Sequence, residues 1–154
     1  MRATLAEIAW SALGCFLSLG VVAYLSGHYK LPLLVPSFGS SAIMIYALSS
    51  IPMAQPKSVI GGQVICAISG VLSFKILGNS WFSIALGLSL AVILMLVTKT
   101  LHPPGGGTVL IAVLTGQGYS FILAPVAVGA MVLVLIGLVV NNIAPNRSYP
   151  QYWF

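Results

Sequence analysis

Acidic side chains are almost missing from this chain. Glu7 is the only one, and aspartate does not occur. Charged residues of both signs make up 5% of the sequence, where a soluble domain carries about 25%. So little charge cannot cover a water-facing surface, which excludes an ordinary soluble domain. One carboxylate and two histidines also supply no His/Cys/carboxylate cluster for a catalytic metal, so neither an enzyme, a cofactor nor a metal site is expected. The net charge of +5 does not point to nucleic acid. The cations stand singly at Arg2, Lys30, Lys57, Lys75, Lys99 and Arg147, spaced like helix flanks and topology determinants. The two cysteines, Cys15 and Cys66, both fall inside apolar runs and read as small buried hydrophobes, not as a disulfide. No removable signal peptide is expected. Leu5 to Ser26 is too long for a typical hydrophobic signal core and lacks an Ala-x-Ala site followed by a soluble domain.

Hydrocarbon is what the chain has in excess. Hydrophobic residues reach 59% and the mean hydropathy is +1.09, values of an integral membrane protein. Six apolar segments follow in order, which makes the fold class all-α in a single transmembrane domain over residues 1–154. Glu7 to Ser26 is long enough to span roughly 30 Å of hydrocarbon at about 1.5 Å per residue. Pro32 and Pro36 bracket an extended link, and Ser37 to Leu48 reads as a short helix. Ile51 to Lys57 is a proline-punctuated loop. Val59 to Leu77 and Trp81 to Val97 are two more spanners, Gly107 to Leu114 a second short helix, and Phe121 to Val140 the last spanner. In the tail, Tyr149, Tyr152 and Trp153 suit a membrane interface.

The chain is organised around Thr98-Lys-Thr-Leu-His-Pro-Pro-Gly-Gly-Gly-Thr108, a polar break between apolar runs. Pro103 and Pro104 each lack a backbone donor and disfavour helix in the preceding residue. Gly105, Gly106 and Gly107 permit close approach of backbone to a ligand or to another helix. Irregular backbone at membrane depth survives only when it is buried in protein or lines a wet cavity.

The break occurs twice. The 67-residue shift that carries Pro36 onto Pro103 also carries Gly20, Gly39, Gly62 and Gly70 onto Gly87, Gly106, Gly129 and Gly137. Sixteen glycines would give roughly one such match by chance. Ser41 falls on Thr108, and both halves, near 14–77 and 81–144, read as long helix, proline break, short helix, loop and long helix. Paired broken helices are a pointer to a transporter binding site. If the short helices cross the membrane, the halves form an inverted three-plus-three repeat. Arg2, Lys57, Lys99 and Arg147 then lie inside, and Lys30 and Lys75 outside. Re-entrant short helices put three cations on each side, so the positive-inside bias favours the crossing arrangement.

Ser37-Phe-Gly-Ser-Ser-Ala42, Pro52-Met-Ala-Gln-Pro-Lys57, Gly61-Gly62, Lys99-Thr-Leu-His-Pro-Pro-Gly-Gly106 and the late Asn141 with Tyr149-Pro150 closely resemble the HPP family of integral membrane proteins. The resemblance runs from about Leu31 to Pro150. It implies a small helical membrane protein, usually described with four transmembrane helices, which would suit the re-entrant arrangement. Members occur in bacteria, cyanobacteria and plastids, and those of the cyanobacterial and chloroplast branch are nitrite transporters. The expected location is therefore a bacterial or cyanobacterial plasma membrane, or a chloroplast envelope in a eukaryote. Gly107 stands where the family commonly has alanine, and the CBS domains of some relatives are not seen in this sequence.

The motif chemistry points to an anion by a separate route. Two short helices start after Pro36 and Pro104, and the first amides of a helix are unpaired and carry partial positive charge. A small anion such as nitrite can accept several N–H bonds there. The expected binding set is Ser37, Phe38, Gly39, Ser40 and Ser41 at the first break, and His102, Pro103, Pro104, Gly105, Gly106, Gly107 and Thr108 at the second. Gln55, Lys57 and Lys99 stand near them, and Gln63 lines the path. The hydroxyls also suit helix capping, and the lysines also suit snorkelling to the cytoplasmic face. His102 either contacts the anion or fixes the break by a hydrogen bond. The rival readings are a channel for a small neutral solute and a structural membrane subunit. A homodimer is expected, joined through small-residue faces such as Gly62 to Gly70 or Gly129 to Gly137.

Overall fold

The computed structural model describes residues 4–29 and 33–153. Those residues form α1 (Leu5–His28), α2 (Ser37–Ala47), α3 (Pro56–Leu77), α4 (Trp81–Val97), α5 (Gly105–Leu114) and α6 (Val128–Ile143). A 3₁₀ turn at Pro52–Ala54 precedes α3, and a π-helical stretch at Ile122–Ala127 precedes α6. Three helical stretches, Leu5–His28, Pro56–Leu77 and Ile122–Ile143, are long and apolar enough to cross a membrane. Arg2, Lys30 and Pro32, which bear on the topology and on the first link, lie outside the described residues.

Local chemistry sets most of the helix ends. The lone acid opens α1 in a capping box: Thr4 Oγ1 accepts from the Glu7 amide at 3.2 Å, and the Glu7 carboxylate accepts from the Thr4 amide at 2.7 Å. α3 starts on Pro56, whose missing N–H is no loss in a first turn, and ends at Gly78 with φ +68. The side chain of Ser80 then caps α4 through the Ser83 amide. The last apolar run is not the continuous helix its hydropathy suggests. Ala124 is extended (φ −130, ψ 120) because it precedes Pro125, and regular helix resumes only at Val128.

Contacts between elements fix their directions. Arg147 Nη2 donates to the Glu7 carbonyl in the first turn of α1, and Nη1 donates to the Tyr46 carbonyl in the last turn of α2. The start of α1 and the ends of α2 and α6 therefore share one end of the bundle. Gln55, just before α3, accepts from the Gln151 amide there, and Lys57, Lys99 and Tyr152 line one cleft at that end. At the opposite end, the Asn79 side chain between α3 and α4 donates to the Leu114 carbonyl closing α5. Leu34 and Val35 face Gln117 and Phe121 there, across a shared groove. Lys75 sits in the last turn of α3 at that end. Both short helices thus begin inside the bundle and run apart, α2 toward the Lys57 end and α5 toward the Lys75 end. Each broken segment carries the chain from one end to the other.

Glycines let the helices close on one another. A Cβ on Gly62 would meet the His102 Cβ at 2.5 Å, and one on Gly70 the Ala112 Cβ at 2.7 Å. On Gly129 it would strike the Phe38 ring at 2.2 Å, and on Gly137 the Ile45 side chain at 2.7 Å. These small-residue faces are consumed inside the protomer, which corrects the expectation that they join two copies. Tyr149 is also no interfacial anchor. It is buried, its hydroxyl donates to the Ala54 carbonyl at 2.9 Å, and its backbone is held by Asn142. Tyr152 and Trp153 are exposed, as a belt requires.

Candidate functional site

The first turns of α2 and α5 meet at the centre of the bundle. Ser37 Oγ and Thr108 Oγ1 lie 2.7 Å apart, and a Cβ on Gly107 would come within 3.3 Å of the Ser37 Cβ. Gln63, about two turns inside α3, bridges the pair. Thr108 donates to its Oε1, and its Nε2 donates to Ser41 Oγ at 2.9 Å and to Ser37 Oγ at 3.3 Å. With the Thr108 proton committed to Gln63, Ser37 is the donor to Thr108.

His102 completes the cluster. Its Nδ1 lies 2.8 Å from the Met53 carbonyl, which can only accept, so Nδ1 carries the proton. Nε2 is then the acceptor for the Ser41 hydroxyl at 2.8 Å. The Ser41 hydroxyl also lies 3.1 Å from the Ser37 carbonyl, one turn back. Ser37, Ser41, Gln63, His102 and Thr108 are all buried. The result is an uncharged hydrogen-bonded chain from Ser37 to the Met53 carbonyl, sealed in an apolar protein. Buried polar groups survive in such surroundings only when paired, and these are.

Two expectations about this centre change. Apart from the Ser37 amide, which has no acceptor among the described residues, the first amides of the short helices are not free. Phe38 and Gly39 donate to Val35 and Pro36, while Gly105, Gly106 and Gly107 donate to His102, Pro103 and Pro104. Pro36 and Pro104 already hold helical dihedrals, so a tight turn precedes each helix and takes up donors that an ordinary start leaves open. The donors at the centre are therefore side chains: three hydroxyls and the Gln63 amide. The glycine roles also divide. Gly105 packs under the Cys66 sulfur and Gly107 faces Ser37, but Gly106 turns toward Leu88 and away from the centre.

The remaining expected residues scatter. A Cβ on Gly39 would meet nothing. Ser40 donates to the Ser37 carbonyl, a local helix bond. Phe38 is core, seated on Gly129. Pro103 is exposed and Pro104 half-buried on the outer side of the turn. Gln55 ties a loop by donating to the Ser49 and Ile51 carbonyls. Lys57 and Lys99 stand apart from the centre, together at a cleft whose floor includes Met53 and Leu101. Sequence reasoning missed the Met53 carbonyl, which has no side-chain signature, and it treated Gln63 as path lining where it is the hub. A glutamine inside an otherwise apolar spanning helix was the available signal.

A bundle of apolar spanning helices around two opposed, interrupted helices with a sealed polar centre defines an integral membrane protein of the helical, polytopic class. The chain belongs to the HPP transmembrane family, whose transmembrane region matches residues 1–150. It is similar to two transmembrane proteins of Dictyostelium discoideum. One is 38% identical over 97% of this chain and 57% of its own length, the other 36% identical over 100% and 53%. The chain thus spans just over half the length of these relatives. No solved structure matches it.

Proposed function

We propose that this chain carries a small inorganic anion, nitrite in the first instance, across the membrane through the centre where α2 and α5 start. The observation that carries this reading is the sealed cluster of Ser37, Ser41, Gln63, His102 and Thr108 between two opposed helix N-termini. Three hydroxyls and an amide offer several donors within one small volume, and both helix dipoles point partial positive charge at it. An anion entering the centre accepts these donors in place of their present partners, with no lysine needed there.

The inverted three-plus-three repeat is part of the proposal. Gly70 packs on Ala112 and Gly137 on Ile45, and the 67-residue shift exchanges these two contacts. The opposed directions of α2 and α5 support it as well. Alternating access then consists of one half rocking against the other around the centre. The protein acts as a transporter and not as an enzyme, assembled as a homodimer through faces other than the glycine stripes. Its setting is a bacterial or cyanobacterial plasma membrane, or a plastid envelope.

The neutrality of the cluster favours one second reading, a channel for a small uncharged solute such as ammonia, with the helix ends excluding cations. Flux assays in vesicles of purified protein separate the two. Saturable nitrite uptake with no matching ammonia or water permeability supports the carrier, and the reverse pattern overturns it. An inward proton gradient that accelerates uptake identifies proton coupling.

A further inference from the structure

A cleft of about 350 Å³ opens at the Lys57 end, away from the sealed centre. Lys57 and Lys99 both line it, and neither side chain makes an ion pair or a hydrogen bond among the described residues. Glu7, the sole acidic side chain, is engaged with Thr4 at the start of α1. The cleft also holds the start of α3. Its N-cap residue, Gln55, makes no capping bond, because its side-chain oxygen instead accepts from the Gln151 amide at 2.8 Å while its nitrogen donates to the loop carbonyls of Ser49 and Ile51. The amides of Lys57 and Ser58 are consequently without an acceptor among the described residues.

Ser58 is the independent sign that this cleft takes a ligand. It is only 7% exposed, lines the cleft, and its hydroxyl has no partner. A serine at this point of a helix ordinarily donates back to the carbonyl four residues earlier. Here that carbonyl, of Ala54, already accepts from the Tyr149 hydroxyl at 2.9 Å. The hydroxyl keeps some exposure to the cleft, where an acceptor that enters can reach it.

We propose that this cleft is a second anion site, which binds an oxyanion group through the two lysines, the Lys57 and Ser58 amides and the Ser58 hydroxyl. The chemistry is that of a small group with two or more acceptor oxygens, whether a free inorganic anion or the phosphate of a lipid headgroup. Two independent cations, a helix N-terminus and a hydroxyl converge on it, an arrangement that suits oxyanions. Its floor gives it a role that rests on the transport reading. Met53 supplies the carbonyl held by His102, and Leu101 precedes His102 in sequence, so one residue layer separates the cleft from the sealed centre. The cleft is then the loading station for the centre.

The test is titration of the full chain, labelled with ¹⁵N, while the Lys57 and Ser58 amide resonances are followed. Inorganic phosphate and nitrite are the probes in neutral detergent, and phosphatidylcholine nanodiscs with or without phosphatidic acid form the second arm. A saturable shift with the free anions identifies an inorganic-anion site, and a shift with phosphatidic acid alone identifies a headgroup site. Either supports the proposal. Replacement of one lysine by glutamine, Lys57→Gln or Lys99→Gln, is expected to weaken the response roughly tenfold, the effect of about 1.4 kcal/mol. Ser58→Ala keeps both charges and weakens it less. The absence of any saturable shift with every probe overturns the site, as does a shift that survives Lys57→Gln/Lys99→Gln in a protein with unchanged melting temperature. A wild-type protein that shows the shift but no nitrite flux keeps the site and loses the transport reading.

Discussion

Ser37 and Thr108, 71 residues apart in sequence, place their hydroxyl oxygens 2.7 Å from each other and so join the starts of two helices that run in opposite directions. The pair is a direct handle on the centre. A double-mutant cycle of Ser37→Ala and Thr108→Val should return a coupling energy of about 0.5–1.5 kcal/mol, read from melting in detergent. Additive losses would falsify the contact. Thr108→Val alone should cost more than Ser37→Ala, because it also strips Gln63 Oε1 of its donor.

His102 carries bonds on both ring nitrogens. His102→Ala should lower stability by about 1–3 kcal/mol, since the Met53 carbonyl and the Ser41 hydroxyl both lose a partner in a dry interior. Nitrite flux in vesicles, normalised to inserted protein, should fall much further than that stability loss explains. Normal normalised flux would reduce His102 to a strut for the 3₁₀ turn.

The three glycines after Pro104 should not respond alike. Gly107→Val places methyl groups between α5 and Ser37 and should abolish flux. Gly106→Ala, facing only the end of Leu88 at 3.4 Å, should leave flux near wild type. Gly105→Ala should be the least stable of the three, because its Cβ would lie 2.6 Å from the Cys66 sulfur. Equal behaviour of Gly106 and Gly107 variants would contradict the facing assigned to them.

Topology can be read by labelling. In a background lacking Cys15 and Cys66, single cysteines at Lys99 and at the exposed Trp153 should react with a membrane-impermeant maleimide from the same side of sealed vesicles, and one at Lys75 from the opposite side. Labelling of Lys99 and Trp153 from opposite sides would require re-entrant short helices and an end-to-end geometry unlike the one described.

The sequence was legible where polar punctuation bounded an apolar run. Gly78-Asn-Ser80 before α4 and Thr98-Lys99 after it marked Trp81–Val97 to the residue. The same hydropathy misled at the last helix, where the run is apolar throughout and only Pro125, through its effect on Ala124, signals the break. The inward faces were the least legible part. Lipid and protein interior are equally apolar, so a glycine stripe such as Gly129 to Gly137 reads alike whether it meets another copy or, as here, Phe38 and Ile45. At the site, the polar residues Ser37, Ser41, His102 and Thr108 were legible because polar groups inside hydrocarbon need a reason. The occupancy of the helix-start amides was not, because it depends on Pro36 and Pro104 adopting helical dihedrals.

Arg147 bears on how the protein is made. Its guanidinium reaches the Glu7 carbonyl at 2.8 Å, the Ser11 hydroxyl at 3.0 Å and the Tyr46 carbonyl at 2.7 Å, so it is the bracket that seats the first two helices. A ribosome releases α1 and α2 into the bilayer long before residue 147 is translated. The amino-terminal helices must therefore wait, inserted but unlatched, until the last part of the bundle arrives, and chaperoning by the insertion machinery matters most during that interval.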